Sequence, residues 1–98
     1  MISNTVDVVA VYRALGDNVR LGMVQKIAAA QAPIASCDVV ASCASLLRLS
    51  QPSISHHFAK LVASGVVRES KSGAQKLYEV DHDVLRHAGV HLDTLHNQ

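Results

Sequence analysis

The side chains best suited to chemistry lie in one segment of the sequence, between positions 50 and 60. Amide, hydroxyl, imidazole and ammonium groups recur there on one side of a predicted helix, at Gln51, Ser53, Ser55, His56 and Lys60. Such groups can hydrogen-bond to the edges of base pairs and can contact phosphates. The pattern favours nucleic-acid binding over catalysis, although a simply solvated helix face is the plainer alternative.

The charge distribution favours the same partner. The formal net charge is only +1, yet between positions 48 and 76 the basic residues stand against Glu69 alone. They are Arg48, Lys60, Arg68, Lys71 and Lys76. A basic segment in a nearly neutral chain indicates an anionic partner. Aromatic residues make up 3% of the chain, too few to stack unpaired bases, so duplex DNA is favoured over a single strand.

Two cysteines, Cys37 and Cys43, are candidates for redox chemistry. Their C-x5-C spacing matches no zinc-finger signature. On one helix they would be about 9 Å apart along the axis, which is too far for a disulfide. If Cys37 instead preceded that helix, the pair could form a dithiol switch. A buried small residue and an incidental thiol are the alternative.

Histidines are concentrated near the end of the chain. His87 and His91 are four residues apart, so on a last helix they would share one face and could bind zinc. A solvated helix surface is the more usual explanation for histidines in this pattern. No cofactor is therefore predicted from the sequence, and zinc or another metal at these histidines is the alternative.

Helices dominate the predicted order of elements, which is ααααββα. Apolar spacing predicts a first helix that is capped within residues 4–7 and ends near Leu15. A second helix over residues 18–30 follows the N-cap Asp17. Residues 34–37 form a loop or a short strand.

A short third helix is predicted to reach Leu47 from an N-cap at Asp38 or Ser42. The fourth helix begins at Ser50, with a proline in its first turn, and ends at Ser64 and Gly65.

Period-two alternation over residues 66–70 and 76–80, with Gly73 between them, predicts a β-hairpin. Asp81 caps a last helix. Its apolar face would carry Leu85, Ala88, Leu92 and Leu95.

This order is that of a winged helix-turn-helix. The helix after Ser50 would enter the major groove, and the hairpin would place Arg68, Lys71 and Lys76 near phosphates. A length of 98 residues allows one domain, residues 1–98.

Four segments resemble the ArsR/SmtB family of transcriptional repressors. Residues 49–58, L-S-Q-P-S-I-S-H-H-F, are similar to the recognition helix L-S-Q-x-x-[VI]-S-H-H-L. Residues 14–21 resemble A-L-[GS]-[DN]-x-x-R-L. Residues 61–68 are similar to L-x-x-[AS]-G-L-V, and residues 73–78 to the wing G-[RK]-x-x-x-Y.

The resemblance implies a homodimer formed through the first and last helices. Two recognition helices would then bind an imperfect palindrome in duplex DNA. Family contacts transfer to Gln51, Ser53, Ser55 and His56, to Lys60 on the DNA backbone, and to His57, which lies nearer the buried face. Family members release DNA when a signal acts at a second site.

The sensor motifs of the family are not reproduced. Its arsenite pattern C-x-C-[DE] falls on Val39, Ala41 and Ser42. We therefore expect a thiol-reactive signal acting through Cys37 and Cys43. The alternatives are a metal-responsive repressor using His87 and His91 and a repressor with no ligand site. A winged-helix module that contacts only proteins is a more distant possibility.

Other function classes lack support in the sequence. There is no Gly-rich phosphate loop, nucleophile elbow or compact acid–base pair, so we do not expect an enzyme. No apolar run approaches the roughly 18–20 residues that span a bilayer. Residues 1–7 lack the features of a signal peptide. The expected location is the cytoplasm, with no membrane partner.

Overall fold

A computed structural model describes residues 6–92, which form six helices and three strands. The helices are α1 (Val8–Leu15), α2 (Asn18–Ala30), α3 (Ser36–Ser42), α4 (Ala44–Leu47), α5 (Gln51–Ser64) and α6 (His82–His87). The strands β1 (Ile34–Ala35), β2 (Val67–Ser72) and β3 (Gln75–Val80) form an antiparallel sheet in the order β1-β3-β2. The predicted fold class, mostly helical with a β-hairpin wing, is confirmed. No helix within these residues is long and apolar enough to cross a membrane.

Side-chain caps begin α1, α2 and α5 where the sequence predicts them. Asp7, Asp17 and Ser50 each accept a hydrogen bond from the backbone N–H three residues later, at 3.0 to 3.3 Å. These bonds satisfy amides that have no partner within the helix. α5 ends at Gly65, whose φ of 85° lies in the left-handed region that glycine adopts without strain.

The third helix is predicted to start after Asp38 or Ser42 and to run unbroken to Leu47, and both parts of this prediction are wrong. α3 begins at Ser36, without a side-chain cap, because β1 pairs with β3 only as far as Ala35. The helix stops at Ser42, and Cys43 has an extended backbone (φ −116°, ψ 101°) before the single turn of α4. Burial of the Cys43 side chain outweighs local capping preference here.

The hairpin is longer than predicted. Lys71 pairs with Lys76 and Ser72 with Gln75, so the loop contains only two residues. Gly73 supplies the left-handed φ of 62° at the first loop position, as a type II′ turn requires. The wing therefore extends farther from the core, and Lys71 lies near its tip.

Within the described residues, the helix predicted to follow Asp81 is interrupted. α6 ends at His87, Gly89 has a φ of 78°, and the Val90 N–H donates to the Leu85 carbonyl at 2.9 Å. This is a helix-terminating arrangement, so the predicted apolar stripe is interrupted. Leu95, the last residue of that stripe, lies outside the described residues.

The core lies between the helices and the sheet. Its fully buried members include Val11, Met23, Val24, Leu46, Leu61 and Val66. Phe58 of α5 stacks on Tyr78 of β3 with ring centroids 4.4 Å apart, a contact worth about 0.5–1.5 kcal/mol beyond its buried area. This stacking holds one side of α5 against the sheet and leaves the other side in solvent.

Candidate nucleic-acid interface

The two sides of α5 differ sharply in burial. Ile54, Phe58 and Leu61, at helical spacing, are buried in the core. The predicted DNA-contacting residues on the other side are all exposed, and we call them the recognition strip: Gln51, Ser53, Ser55, His56 and Lys60. The structure thus brings these predicted residues together on one surface.

The beginning of α5 is suited to a negatively charged partner. The Ser50 hydroxyl accepts from the Ser53 N–H at 3.3 Å and donates to the Ser53 Oγ at 3.1 Å. Helix residues 51–64 contain no aspartate or glutamate. The positive end of the helix dipole therefore adjoins a surface without acidic side chains of its own.

His57 is placed differently from the recognition strip. Its side chain is 16% exposed, and its Nδ1 lies 3.2 Å from Nη1 of Arg20 and 3.9 Å from Oδ2 of Asp17. Arg20 also donates from Nε to the Ala14 carbonyl at 2.8 Å. We call this set, Ala14, Asp17, Arg20 and His57, the corner network, because it joins α5 to the α1–α2 corner. Contact of His57 with DNA stays a prediction.

Two of the three predicted hairpin cations already have acidic partners. Arg68 lies 3.3 Å from Glu79, and Lys76 lies 3.6 Å from Glu69. Such exposed pairs contribute only about 0–1 kcal/mol, so phosphates can compete for them. Among the described residues Lys71 makes no ion pair, which leaves it the most available cation of the wing.

The hairpin is anchored at Tyr78. Its hydroxyl donates to Oε2 of Glu69 at 2.7 Å. Burial, together with the hydrogen bond and the charge of Glu69, raises the pKa of Tyr78 well above its usual value. The phenol therefore stays protonated and keeps its hydrogen bond throughout the physiological range.

The cysteines lie at opposite ends of α3. Cys37 is exposed in its first turn, and Cys43 is buried immediately after its last residue. Six residues of helix separate them by about 9 Å, beyond the roughly 7 Å limit between Cα atoms in a disulfide. The dithiol switch requires Cys37 to precede the helix and fold back onto Cys43. Because Cys37 lies within α3, that arrangement is wrong for the folded protein.

The two thiols also differ in reactivity. Burial raises the pKa of Cys43, against an opposing effect of the Lys26 charge, so little of its reactive thiolate forms. Cys37 lines an open groove of about 640 Å³ together with Gln51 and Ser55 of α5 and Tyr78 of β3. A group attached to Cys37 would lie directly beside the recognition strip.

The predicted histidine pair is not formed on a helix face. α6 ends at His87, and the left-handed Gly89 separates it from His91, so the two are not one helical turn apart. The His87 Nδ1 instead lies 2.8 Å from the Asp83 carbonyl. Within residues 6–92 no group of three or more His, Cys, Asp or Glu side chains is placed to hold a metal ion.

Two residues near α5 were not predicted from the sequence as functional. Arg13 and Arg20 line a small cavity that also contains Lys60. Arg20 lies in the segment 14–21 that resembles a family motif, but the motif itself does not indicate which part of the chain the arginine contacts.

Comparisons with known proteins find similarity to bacterial regulatory proteins. Residues 37–69 match the profile of the family described as bacterial regulatory protein, arsR family. The arsenical resistance operon repressor of Staphylococcus xylosus is 26% identical over 85 residues, which are 87% of this chain and 76% of the relative.

Two solved structures of similar fold cover most of this chain. HlyU from Vibrio cholerae N16961 superposes with a TM-score of 0.70 at 23% identity, over 100% of both chains. The homodimeric winged helix-turn-helix DNA-binding domain of Mb0332 from Mycobacterium bovis superposes with a TM-score of 0.66 at 20% identity, over 90% of this chain and 84% of that one. At these identities the likeness establishes the winged helix-turn-helix fold.

Proposed function

We propose that this chain, whose residues 37–69 match the model of the arsR family of bacterial regulatory proteins, is a member of that family and represses transcription by binding duplex DNA as a homodimer. Because that family consists of DNA-binding regulators, the prediction that the chain is not an enzyme is confirmed. The observation that carries the proposal is the exposed recognition strip on a helix whose other side is fixed in the core. This activity requires a cytoplasmic location.

The recognition strip has the chemistry needed to read base pairs. A major groove about 12 Å wide admits an α-helix, and a glutamine amide can bond to adenine at two positions. Gln51 lies in the first turn of α5, and His56 follows on the exposed side. Their donors and acceptors would face base edges, while Lys60, one turn beyond His56, would meet the DNA backbone.

Exposed apolar side chains on α1 support the homodimer. Val8, Val9 and Tyr12 are 42%, 62% and 50% exposed although all are large and apolar. Such a patch typically marks a protein–protein contact. The Tyr12 hydroxyl also donates to the Ala88 carbonyl, which joins α1 to the end of α6, the two elements of the predicted interface.

We further propose that a thiol-reactive signal acts at Cys37. Cys37 is exposed and shares its groove with two members of the recognition strip, Gln51 and Ser55. An adduct there would compete with DNA for the same surface. Cys43, which is buried and has a raised pKa, has a packing role in this scheme. A metal signal through His87 and His91 has less support, because the two are not on one helix.

The central test selects binding sites from a pool of random-sequence duplexes. We expect enrichment of an imperfect palindrome whose half-sites are about one helical turn, roughly 34 Å, apart. Light scattering on the same sample should give a dimer mass, alone and on the selected duplex. A monomeric protein, or a pool from which no sequence is enriched, would contradict the proposal.

A further inference from the structure

A second basic surface adjoins α5 on the side away from the hairpin. A cavity of about 200 Å³ lies between α1, α2 and the second half of α5, and three cations line it: Arg13, Arg20 and Lys60. Ser64 and three alanines complete the lining, so among the described residues no carboxylate lines the cavity. The small side chains among these cationic residues leave room for an anion of modest size.

The position of Arg20 in this cavity is fixed by its hydrogen bonds. Its Nε donates to the Ala14 carbonyl at 2.8 Å, and its Nη1 lies 3.2 Å from the ring of His57. The nearest acidic group of the corner network, Asp17, caps α2 and lies 3.9 Å from His57. These bonds hold the Arg20 side chain at the α1–α2 corner, where it lines the cavity together with Arg13 and Lys60.

Convergence of like charges favours an anionic occupant. Three cations around one small cavity repel one another, and a bound anion relieves that repulsion. Arg13 lies in the last turn of α1, where the helix dipole alone favours a basic residue. The dipole accounts for Arg13 and the corner network accounts for Arg20, but neither accounts for the placement of three cationic residues, from three helices, around one cavity.

We infer that this cavity binds a phosphate, and that its occupant is a backbone phosphate of the duplex whose major groove holds α5. The inference rests on the proposed function. Lys60 lies one turn after His56 on α5, so the cavity directly continues the recognition strip. The groove-facing helix would then have the wing cations on one wall of the groove and these three cations on the other.

Arginine suits this role because its planar guanidinium can donate two parallel hydrogen bonds to a phosphate. Arg13 is the diagnostic residue, because it is exposed and makes no ion pair or hydrogen bond through its side chain within residues 6–92. Its replacement therefore leaves the corner network in place. Arg20 is a poorer probe, since its loss would also disturb the protein itself.

The test compares the salt dependence of duplex binding for Arg13→Ala and Lys26→Ala. Lys26 is an exposed α2 cation that lines a different cavity, beside α6, so both variants lose one positive charge. A lost phosphate contact lowers the slope of log K against log salt by about 0.9 per protomer, and we expect this change in Arg13→Ala alone. Equal slopes for the two variants would overturn the inference.

Inorganic phosphate serves as the probe for a free anion in the same cavity. Amide NMR shifts of residues 10–20 and 60–64 are followed while phosphate replaces chloride at constant ionic strength. Saturable shifts combined with an unchanged salt slope in Arg13→Ala would assign the cavity to a free phosphate and overturn the DNA assignment. If wild-type protein fails to bind any selected duplex, the proposed function itself fails, which is a distinguishable result.

Discussion

The two flanks of α5 are held by different kinds of contact. On the corner flank Arg20 is half-buried and bonds to Ala14 and His57. On the hairpin flank Arg68 and Lys76 make ion pairs with their side chains 60% and 53% exposed. Bonds to charged groups contribute about 1.5–3 kcal/mol where solvent is limited, whereas exposed pairs contribute about 0–1 kcal/mol. The corner thus fixes the position of α5, while the hairpin can adapt to its partner.

Arg20→Ala should have the largest effect. It removes two hydrogen bonds and leaves the Ala14 carbonyl and the His57 ring without this partner, so we expect a loss of about 2–3 kcal/mol in the free energy of unfolding. DNA affinity should fall for every sequence, because α5 is held less firmly. Urea unfolding and fluorescence anisotropy measure the two effects. The matched variant on the other flank, Arg68→Ala, should change stability by less than about 1 kcal/mol. Equal losses of unfolding free energy in the two variants would mean that the two flanks of α5 are held equally firmly.

His56→Ala should separate base reading from positioning. His56 is exposed in the recognition strip, so its loss should weaken binding to a selected sequence by about 1–3 kcal/mol and leave random duplex unaffected. Ser55→Ala should behave in the same way. The neighbouring variant His57→Ala should resemble Arg20→Ala, with lower stability and weaker binding to both duplexes. Identical profiles for the two histidines would mean that the assigned roles are wrong.

The recognition strip could be predicted from the sequence because its determinants are local. Ser50 marks the start of α5, and the helical period separates Phe58 from His56. The corner network could not be predicted in this way, since Arg20 and His57 are 37 positions apart and no periodicity reports a contact across that distance. Two family motifs contain these residues, but only the fold shows that the motifs meet.

The errors at α3 and α6 have different origins. Cys43 interrupts the helical region because its side chain packs into the core, a tertiary effect that capping rules do not include. Gly89, in contrast, is a sign of helix termination in the sequence itself, and it outweighs the apolar spacing from Leu85 onward because glycine adopts the left-handed φ of 78° without strain. In the structure, helix α3 keeps Cys37 apart from Cys43, and the turn at Gly89 keeps His87 apart from His91, so neither predicted sensor pair is formed.

Modification of Cys37 tests the hairpin flank, because the attached group would fill the groove that Cys37 shares with Gln51 and Ser55 of α5. N-ethylmaleimide should react with Cys37 in preference to Cys43, because one thiol is exposed and the other is buried with a raised pKa. We expect the adduct to weaken duplex binding about tenfold, or about 1.4 kcal/mol. Mass spectrometry locates the adduct. Cys37→Ser should bind DNA normally and resist the reagent, whereas Cys43→Ser should remain sensitive. Loss of sensitivity only in Cys43→Ser would contradict the assignment.

Lys71→Ala should have the smallest effect on affinity, and its effect on stability should have the opposite sign. Lys71 lies directly opposite Lys76 on the hairpin, and like charges in this position repel by about 0.2–1 kcal/mol. Removing Lys71 should therefore stabilise the protein slightly while it lowers the salt slope of binding by about 0.9 per protomer, equally on selected and random duplexes. Lys76→Ala is the matched control, because Glu69 already partly neutralises Lys76, so its slope should change less. Two opposed lysines on the hairpin lower its stability, and an anionic partner is the best explanation for them. If Lys71→Ala bound DNA with unchanged affinity, that explanation would be wrong.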